Sequence, residues 1–164
     1  MRKQLVLAFL MSTVPLVVAC GPPKVNDYVI EPGADLTGAD LAGADLEGAN
    51  LEGANLGAMI YSEIADLRDA NLTDADLEMT NLTRSDLTGA NLTRADIKHS
   101  DLTEAYLTGA NLTRADLTGA DLKYAFLWDA DLTGADLTGA DLTGAHLTGV
   151  VWDETTIDPD GWLK

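Results

Sequence analysis

The sequence predicts an all-β fold in which the chain winds into stacked coils, and two observations lead to that prediction. A triplet of Ala, then Asp or Asn, then Leu returns every five residues between Ala34 and Leu147, and the two positions between triplets are most often Thr and Gly. A short fixed period is typical of architectures whose units stack. Repeats are numbered here from the central Leu, position i, which puts Ala at i−2, Asp or Asn at i−1, Thr at i+1 and Gly at i+2.

A five-residue period fits neither an α-helix nor a flat strand. Five helical residues turn about 500°, so successive leucines would be rotated by about 140° and form no apolar stripe. Side chains of a flat strand alternate every two residues, so an odd period would send alternate leucines to opposite faces. A chain that bends once per repeat solves both problems. It places Ala and Leu inside and Asp, Asn and Thr outside, with the bend at i+1 and i+2, where Gly tolerates unusual backbone conformations.

A single repeat cannot fold alone. A buried Leu contributes roughly 2 kcal/mol, whereas ordering five backbone residues costs about 5–10 kcal/mol. Coils must therefore stack, because each neighbour adds ladder hydrogen bonds and covers the core above and below.

The residues from Ala34 to about Trp152 resemble the pentapeptide-repeat family, whose consensus is A-(D/N)-L-x-x. The resemblance implies a right-handed quadrilateral β-helix of one domain, with four repeats per coil and about six coils. Some unusual residues recur at an interval of twenty, which agrees with four repeats per coil: Asn71, Asn91 and Asn111; Arg94 and Arg114; Tyr106 and Phe126. We therefore predict a repeat domain over 34–152.

The repeat is interrupted once. Leu56 and Leu67 are eleven residues apart rather than ten, so the frame of repeats carries one extra residue within 57–64, which we interpret as a bulge or a short loop. Three inward Ala positions are occupied by small polar residues instead: Thr80, Ser85 and Ser100.

The beginning of the chain has the form of a bacterial lipoprotein signal peptide. Two positive charges lie within residues 1–3, and an apolar stretch over 5–18 is too short for an ordinary membrane span. The tetrapeptide ending at Cys20, Val-Val-Ala-Cys, resembles the lipobox, where a signal peptidase cuts before the cysteine and the thiol receives a diacylglyceryl group. We predict a signal peptide over 1–19 and lipidation of Cys20, since two acyl chains give stable anchoring. The alternative is a buried free Cys20 in an uncleaved apolar segment.

The segments next to the repeats are predicted to connect and cover the coils. Residues 20–33 would form a tether and N-terminal cap, with Tyr28, Val29 and Ile30 over the first coil. Residues 153–164 would form a C-terminal cap or tail, with Ile157 and Trp162 over the last coil. The predicted location is extracytoplasmic, on the periplasmic side of the inner or outer membrane, and the membrane itself is the predicted partner of lipidated Cys20.

The surface is strongly acidic. The formal charge is −17, and loss of Arg2 and Lys3 with the leader leaves 8 basic against 27 acidic residues, or −19. The simplest interpretation is a solvated surface, and two alternatives stay open. One is a cation-binding surface, with calcium on stacked carboxylates. The other is an acidic DNA mimic that inhibits a nucleic-acid enzyme, as the family resemblance suggests for some cytoplasmic members; the leader argues against it, so no nucleic-acid partner is expected.

One column of repeats departs from the consensus in a way that suggests binding. Tyr106, Phe126 and His146 occupy the Asp/Asn position at intervals of twenty, and Tyr124 and Trp128 flank Phe126 in sequence. Exposed aromatic residues are enriched at binding surfaces, so we predict a patch that contacts a protein or a glycan. The alternatives are an aromatic ladder that stabilises the stack and neutral surface variation.

Catalysis finds little support in the sequence. Lys98, His99, Ser100 and Asp101 are adjacent, but Ser100 occupies an inward position while Lys98 and His99 lie at the corner. No metal-ligand spacing, phosphate loop or nucleophile motif is present. We therefore expect a non-enzymatic protein without cofactor or metal: a lipid-anchored envelope scaffold or protein-interaction module. The sequence predicts no particular oligomeric state.

Overall fold

The computed structural model describes residues 24–25, 28–37, 39, 41, 44–52, 54–57, 64–158 and 162. Cys20 and the predicted signal peptide lie outside these residues, as does most of the predicted insertion. Two short strands precede the repeats: β1, Lys24–Val25, pairs antiparallel with β2, Tyr28–Val29. The described residues form no helix, and hence none long and apolar enough to cross a membrane.

The repeats form a four-sided tube, because isolated parallel bridges join them in four ladders, each of which defines a face. Face A runs through Asp35, Asn55, Asn81, Asp101, Asp121 and Asp141. Face B runs through Asp66, Asp86, Tyr106, Phe126 and His146. Face C runs through Asp45, Asn71, Asn91, Asn111, Asp131 and Val151. Face D runs through Asn50, Asp76, Asp96, Asp116, Asp136 and Ile157. The all-β, quadrilateral prediction agrees with this geometry, whereas the handedness and the number of coils stay predictions.

Backbone hydrogen bonds on both sides of each rung hold the coils together. At one rung of face C, the Asp131 amide donates to the Ala110 carbonyl at 3.0 Å, and the Leu112 amide donates to the Asp131 carbonyl at 2.8 Å. The i−2 and i side chains on either side point inward, and Leu112 is fully buried. The predicted assignment of Ala and Leu to the interior is confirmed, since nearly all of these side chains are at most 3% exposed before the C-terminal end.

Each corner is a tight turn that is closed by a hydrogen bond from the amide of residue i+3 to the carbonyl of residue i. The Ala120 amide, for example, donates to the Leu117 carbonyl at 3.0 Å. The i+2 residue has a positive φ while i+1 does not, which identifies a type II turn. Gly was expected there, but ten other residues take the same left-handed conformation: Asp69, Asp74, Met79, Arg84, Arg94, His99, Glu104, Arg114, Tyr124 and Asp129. The corner geometry is therefore imposed by the ladders on either side rather than by glycine.

We expect opposite effects on stability from removing a glycine and from introducing one in the same corner column. Gly139 has φ +69, and no atom lies within 4 Å of the place that a Cβ would take, so Gly139→Ala should cost about 1 kcal/mol from the left-handed backbone alone. Met79 lies in the same column with φ 55 and is exposed, so Met79→Gly should stabilise by a similar amount. Urea denaturation followed by circular dichroism measures both. A neutral Gly139→Ala would contradict the assigned strain.

The register of the ladders changes at two places. Asp35 pairs with Asn55 twenty residues on, but Asp45 pairs with Asn71, 26 residues on, so this coil is six residues longer than a regular one. One of these six residues is the extra residue that the sequence places within 57–64. The other five have the length of one additional repeat. Asp136 pairs with Ile157, so a smaller extension precedes Ile157.

The two ends of the tube differ. At the start, Ile30 is buried in the core and Tyr28 packs against it. At the other end, Ile157 does not cover the last coil as expected: its amide donates to the Ala135 carbonyl, so it forms a rung of face D, and its side chain is exposed. Trp152 occupies the next Leu position and is 49% exposed. Coverage by a further coil is what buries the earlier leucines.

The three polar residues at inward Ala positions satisfy their hydroxyl groups in one common way. Ser100 Oγ donates to the Leu77 carbonyl at 2.5 Å, and each hydroxyl reaches the carbonyl of an i residue on the preceding face of the coil below. Thr80 bonds to Leu51, and Ser85 bonds to Leu56. All three side chains are buried. The tube interior therefore accepts a hydroxyl at these positions without leaving it unpaired.

Candidate interaction surface

The outward Asp or Asn at i−1 serves the corner that follows it. Its Oδ1 accepts the amide of residue i+1, as between Asp141 and Thr143 at 2.9 Å. The Thr hydroxyl often donates to the same oxygen, as between Thr93 and Asn91 at 2.6 Å. Side chains that accept an amide two residues on stabilise turns. The consensus position is therefore structural, and a residue that cannot accept this bond needs another explanation.

Face B carries residues other than Asp and Asn at this position over three successive rungs. The rings of Tyr106 and Phe126 are stacked with centroids 5.0 Å apart and planes at 10°, and those of Phe126 and His146 are 4.8 Å apart at 3°. Trp128, at i+1 on the same face, packs against both Phe126 and His146 at 5.4 and 5.5 Å, tilted by 59° and 56°. We call these four residues the aromatic strip.

The structure brings four of the five predicted patch residues together. Tyr124 lies instead at the corner between faces A and B, with φ 58, and its ring crosses the space where a side chain on Gly144 would lie. No ring contact joins it to the aromatic strip among the described residues. Tyr124 is 55% exposed and Trp128 41% exposed, so both remain accessible to a partner.

At the aromatic strip, the corner hydrogen bonds that a consensus Asp or Asn would accept are lost. The rings of Tyr106 and Phe126 offer the amides of Thr108 and Trp128 no carboxylate or carboxamide oxygen. In exchange, parallel ring stacking is worth about 0.5–1.5 kcal/mol per pair. The predicted aromatic ladder is therefore present, and the exposed indole of Trp128 goes beyond what a ladder requires.

Basic side chains bridge consecutive carboxylates of the Asp ladders. Lys123 Nζ lies 2.6 Å from Asp121 and 3.0 Å from Asp141 on face A. Lys98 bridges Asp96 and Asp116 on face D in the same way, at 2.7 and 3.8 Å. Each cation sits at i+1 between two rungs, where the repulsion of stacked carboxylates would otherwise be strongest. Arg68 repeats the arrangement on face B with Asp66 and Asp86.

Two further devices reduce the charge of the ladders. On face C, Asn91 Nδ2 donates to Thr73 Oγ1 at 2.9 Å, so an amide replaces a carboxylate and supplies a donor between coils. At the corners, Arg94 forms a two-point ion pair with Asp74, and Arg84 with Glu104, each across one coil. The interval of twenty between the partners was visible in the sequence, but these pairs were not predicted.

Hydrogen bonds hold several carboxyl groups in their charged form. The Thr143 hydroxyl, then the Thr143 amide and Lys123, lower the pKa of Asp141 from 3.8 to about 2. Arg94 lowers the pKa of Asp74, and Arg84 lowers the pKa of Glu104. In all three cases the hydrogen bond is stronger to the charged carboxylate than to the neutral acid, so the charged form is favoured.

These shifts predict acid sensitivity. A carboxyl whose pKa is lower in the folded state binds fewer protons there, so its stabilisation is complete above the unfolded pKa near 3.8 and is lost as pH falls towards about 2. We expect the urea midpoint to fall over this window. Titration by NMR should give Asp141 a pKa of about 2, and Thr143→Val should raise it towards the ordinary value. Thr148→Val, on face B, should leave it unchanged; equal pKa values in all three proteins would contradict the assignment.

The adjacent residues Lys98 to Asp101 do not form a reactive group. Ser100 is buried and its hydroxyl bonds to a backbone carbonyl. His99 is exposed at a left-handed corner and lies against Gly119 of the next coil. Lys98 is engaged by two carboxylates. Within the described ranges, no three His, Cys, Asp or Glu side chains are grouped so as to hold a metal ion.

A family model described as pentapeptide repeats matches residues 32–57, 65–103 and 110–149, in eight copies. The chain is therefore a repeat protein of the stacked, coil-forming class. It belongs to the pentapeptide-repeat family.

Solved structures of this family are similar to the chain. A pentapeptide repeat protein, Rfr23, from the cyanobacterium Cyanothece 51142 is 36% identical, with a TM-score of 0.68, over 72% of this chain and 90% of that one. HetL, from the cyanobacterium Nostoc sp. strain PCC 7120, is also 36% identical, over 84% of this chain and 67% of that one, with a TM-score of 0.36. A thylakoid-lumen pentapeptide repeat protein of Arabidopsis thaliana is 26% identical over 72% and 71%, with a TM-score of 0.30. No curated protein matches the chain.

Proposed function

We propose that this protein is a lipid-anchored, non-catalytic scaffold of the bacterial cell envelope that binds a partner through one face of its tube. The observation that carries the proposal is the aromatic strip. Its residues replace a structurally useful Asp or Asn at three rungs, and Trp128 remains exposed. Departures from local consistency that expose aromatic residues are typical of binding surfaces.

The rest of the tube supports a binding rather than a catalytic role. Leu and Ala side chains fill its interior, and the inward hydroxyls are all bonded to the backbone. The outward carboxylates are largely used in corner hydrogen bonds and ion pairs. These ion pairs weaken two alternatives, a cation-binding surface and a DNA mimic. Lys98 and Lys123 already neutralise part of the carboxylate ladders on faces D and A.

The binding role is tested with variants that restore the family consensus. Phe126→Asp and Trp128→Thr together return an Asp acceptor and a Thr to face B, so the tube should stay folded, as circular dichroism would show. A photo-crosslinking amino acid at position 148, on the same face, should capture a partner in cells from the parent protein but not from the double variant. The same amino acid at position 118, on face D, is the control. Equal capture by both proteins would refute a binding role for the strip.

The anchor is tested separately. Cys20→Ala should abolish incorporation of labelled fatty acid and move the protein from the membrane to the soluble fraction, because one lost lipidation site removes every acyl chain. Position 20 is the only cysteine in the chain, so no other thiol can substitute. Unchanged labelling or fractionation would contradict the lipoprotein assignment and leave the binding surface to be judged on its own test.

A further inference from the structure

The C-terminal half of face B is nearly free of charge, although the chain as a whole carries −17. Its i−1 positions are Tyr106, Phe126 and His146, and its i+1 positions are Thr108, Trp128 and Thr148. Neighbouring rungs of a parallel ladder lie about 4.8 Å apart, so these six residues form one continuous surface. An apolar centre within a polar surround is the usual anatomy of a protein interface.

The geometry of the strip selects the kind of contact it can make. Ring stacking covers both faces of Phe126, at 5.0 and 4.8 Å, so the ladder presents ring edges outward. Trp128 leans on two of these rings, which restricts its rotamers before any partner arrives. A pre-ordered, partly exposed Trp is a strong anchor because little side-chain entropy remains to be lost. Ring edges contact aliphatic and aromatic side chains well, and Phe126, whose two faces are both covered, offers no face on which a sugar ring could stack.

A carboxylate without an ion pair in the described part of the chain lies beside the strip. Asp129 follows Trp128 at an exposed left-handed corner, and no ion pair engages it among the described residues. Asp86, the rung directly next to Tyr106 on face B, is already contacted by Arg68. A second copy of this chain would bring the same excess of negative charge to the surface and be repelled, whereas a basic partner would be attracted.

We infer that the aromatic strip binds a basic protein segment: an aliphatic or aromatic anchor residue packs on Trp128, and a flanking Lys or Arg side chain contacts Asp129. The inference rests on the proposed binding function and names the class of partner. The apolar anchor supplies the affinity and the negative charge beside it supplies the orientation and the rate of association.

Three labelled synthetic peptides test the inference by fluorescence anisotropy with the full chain in detergent. The first has a Leu centre with Lys flanks, the second replaces the Leu centre by Ser, and the third replaces the Lys flanks by Glu. The first peptide should bind about tenfold or more tightly than the second, and the third should not bind. Equal binding of the first two would mean attraction to net charge alone and overturn the inference.

Variants locate the binding on the surface, each with a matched control. Trp128→Thr should remove the preference for the Leu-centred peptide, whereas Trp152→Leu, which removes another exposed Trp, should keep it. Asp129→Gly restores the usual corner residue. It should weaken the binding of the first peptide and reduce the salt dependence of that binding. Asp69→Gly is its counterpart in the same corner column, with φ 56 against 55, and should have no effect. An effect of Asp69→Gly equal to that of Asp129→Gly would contradict the site.

The outcomes separate this inference from the proposed function. If position 148 crosslinks a partner in cells and no peptide shows a Trp128-dependent preference, the partner class is wrong and the binding role stands. If a neutral oligosaccharide, chitohexaose, binds in a Trp128-dependent way while the peptides do not, the surface is a glycan site. If position 148 captures nothing and Trp128→Thr changes nothing, both proposals fall.

Discussion

Leu117→Ala is expected to lower the free energy of unfolding by about 3 kcal/mol, the range found for fully buried leucines. Leu117 is fully buried and its backbone joins the ladder to Asp136. The surrounding coils are held by backbone bonds on both sides, so they cannot close around the lost side chain. A cavity would therefore remain and add to the lost transfer free energy. Urea denaturation measured by circular dichroism gives the difference.

The next residue provides the control for this prediction. Thr118 lies on the same face at i+1, and its side chain makes no hydrogen bond within the part of the chain that the structure describes. Thr118→Ala should therefore stay within about 0.5 kcal/mol of the parent protein. Similar losses for the two variants would mean that position i is not the interior of the tube, and the assignment of inside and outside would fail with it.

Ala120→Asp is expected to destabilise the protein by about 3–5 kcal/mol, since it buries a charge that has no partner. Ala120 is 1% exposed and lies one rung beyond Ser100 in the inward column of face A. No basic side chain is buried among the described residues, so none can pair with the new carboxylate. Protonation of that carboxyl would reduce the penalty, so the deficit should shrink at acid pH. Thermal and urea unfolding at neutral and acid pH measure it.

Ala120→Ser should be tolerated within about 1 kcal/mol. Ser100 Oγ donates to the carbonyl of Leu77, 23 residues earlier, and the equivalent carbonyl for position 120 belongs to Ile97. The comparison of Ser with Asp at one position thus separates a polar group that the coil below can satisfy from a charge that it cannot. A large loss for Ala120→Ser would show that the buried hydroxyls depend on their particular sites.

Much of the interior could be predicted because it depends on neighbours within one repeat. Leu and Ala two residues apart must share a side of the chain, and the bend must fall where Thr and Gly recur. Ser100 was placed inside for the same reason, and the structure confirms it. The aromatic column was found because Tyr106, Phe126 and His146 replace a recurring residue at an interval of twenty.

Other features depend on contacts between coils and were missed for that reason. Tyr124 is a different case, because it stands at i+2, so the repeat frame alone already places it around a corner from Phe126. The bridging position of Lys123 between two carboxylates needs the distance from one rung to the next, which the sequence does not contain. The length of the irregular coil likewise follows from which residues pair across it, such as Asp45 with Asn71.

The sequence by itself determined that this chain winds into stacked coils with aliphatic groups inside and polar groups outside, because a period of five admits no other way to bury its leucines. Only the tertiary structure decided how side chains twenty residues apart meet. Stacking of one coil on the next creates those contacts: it stacks the rings of Tyr106, Phe126 and His146 and packs Trp128 against two of them.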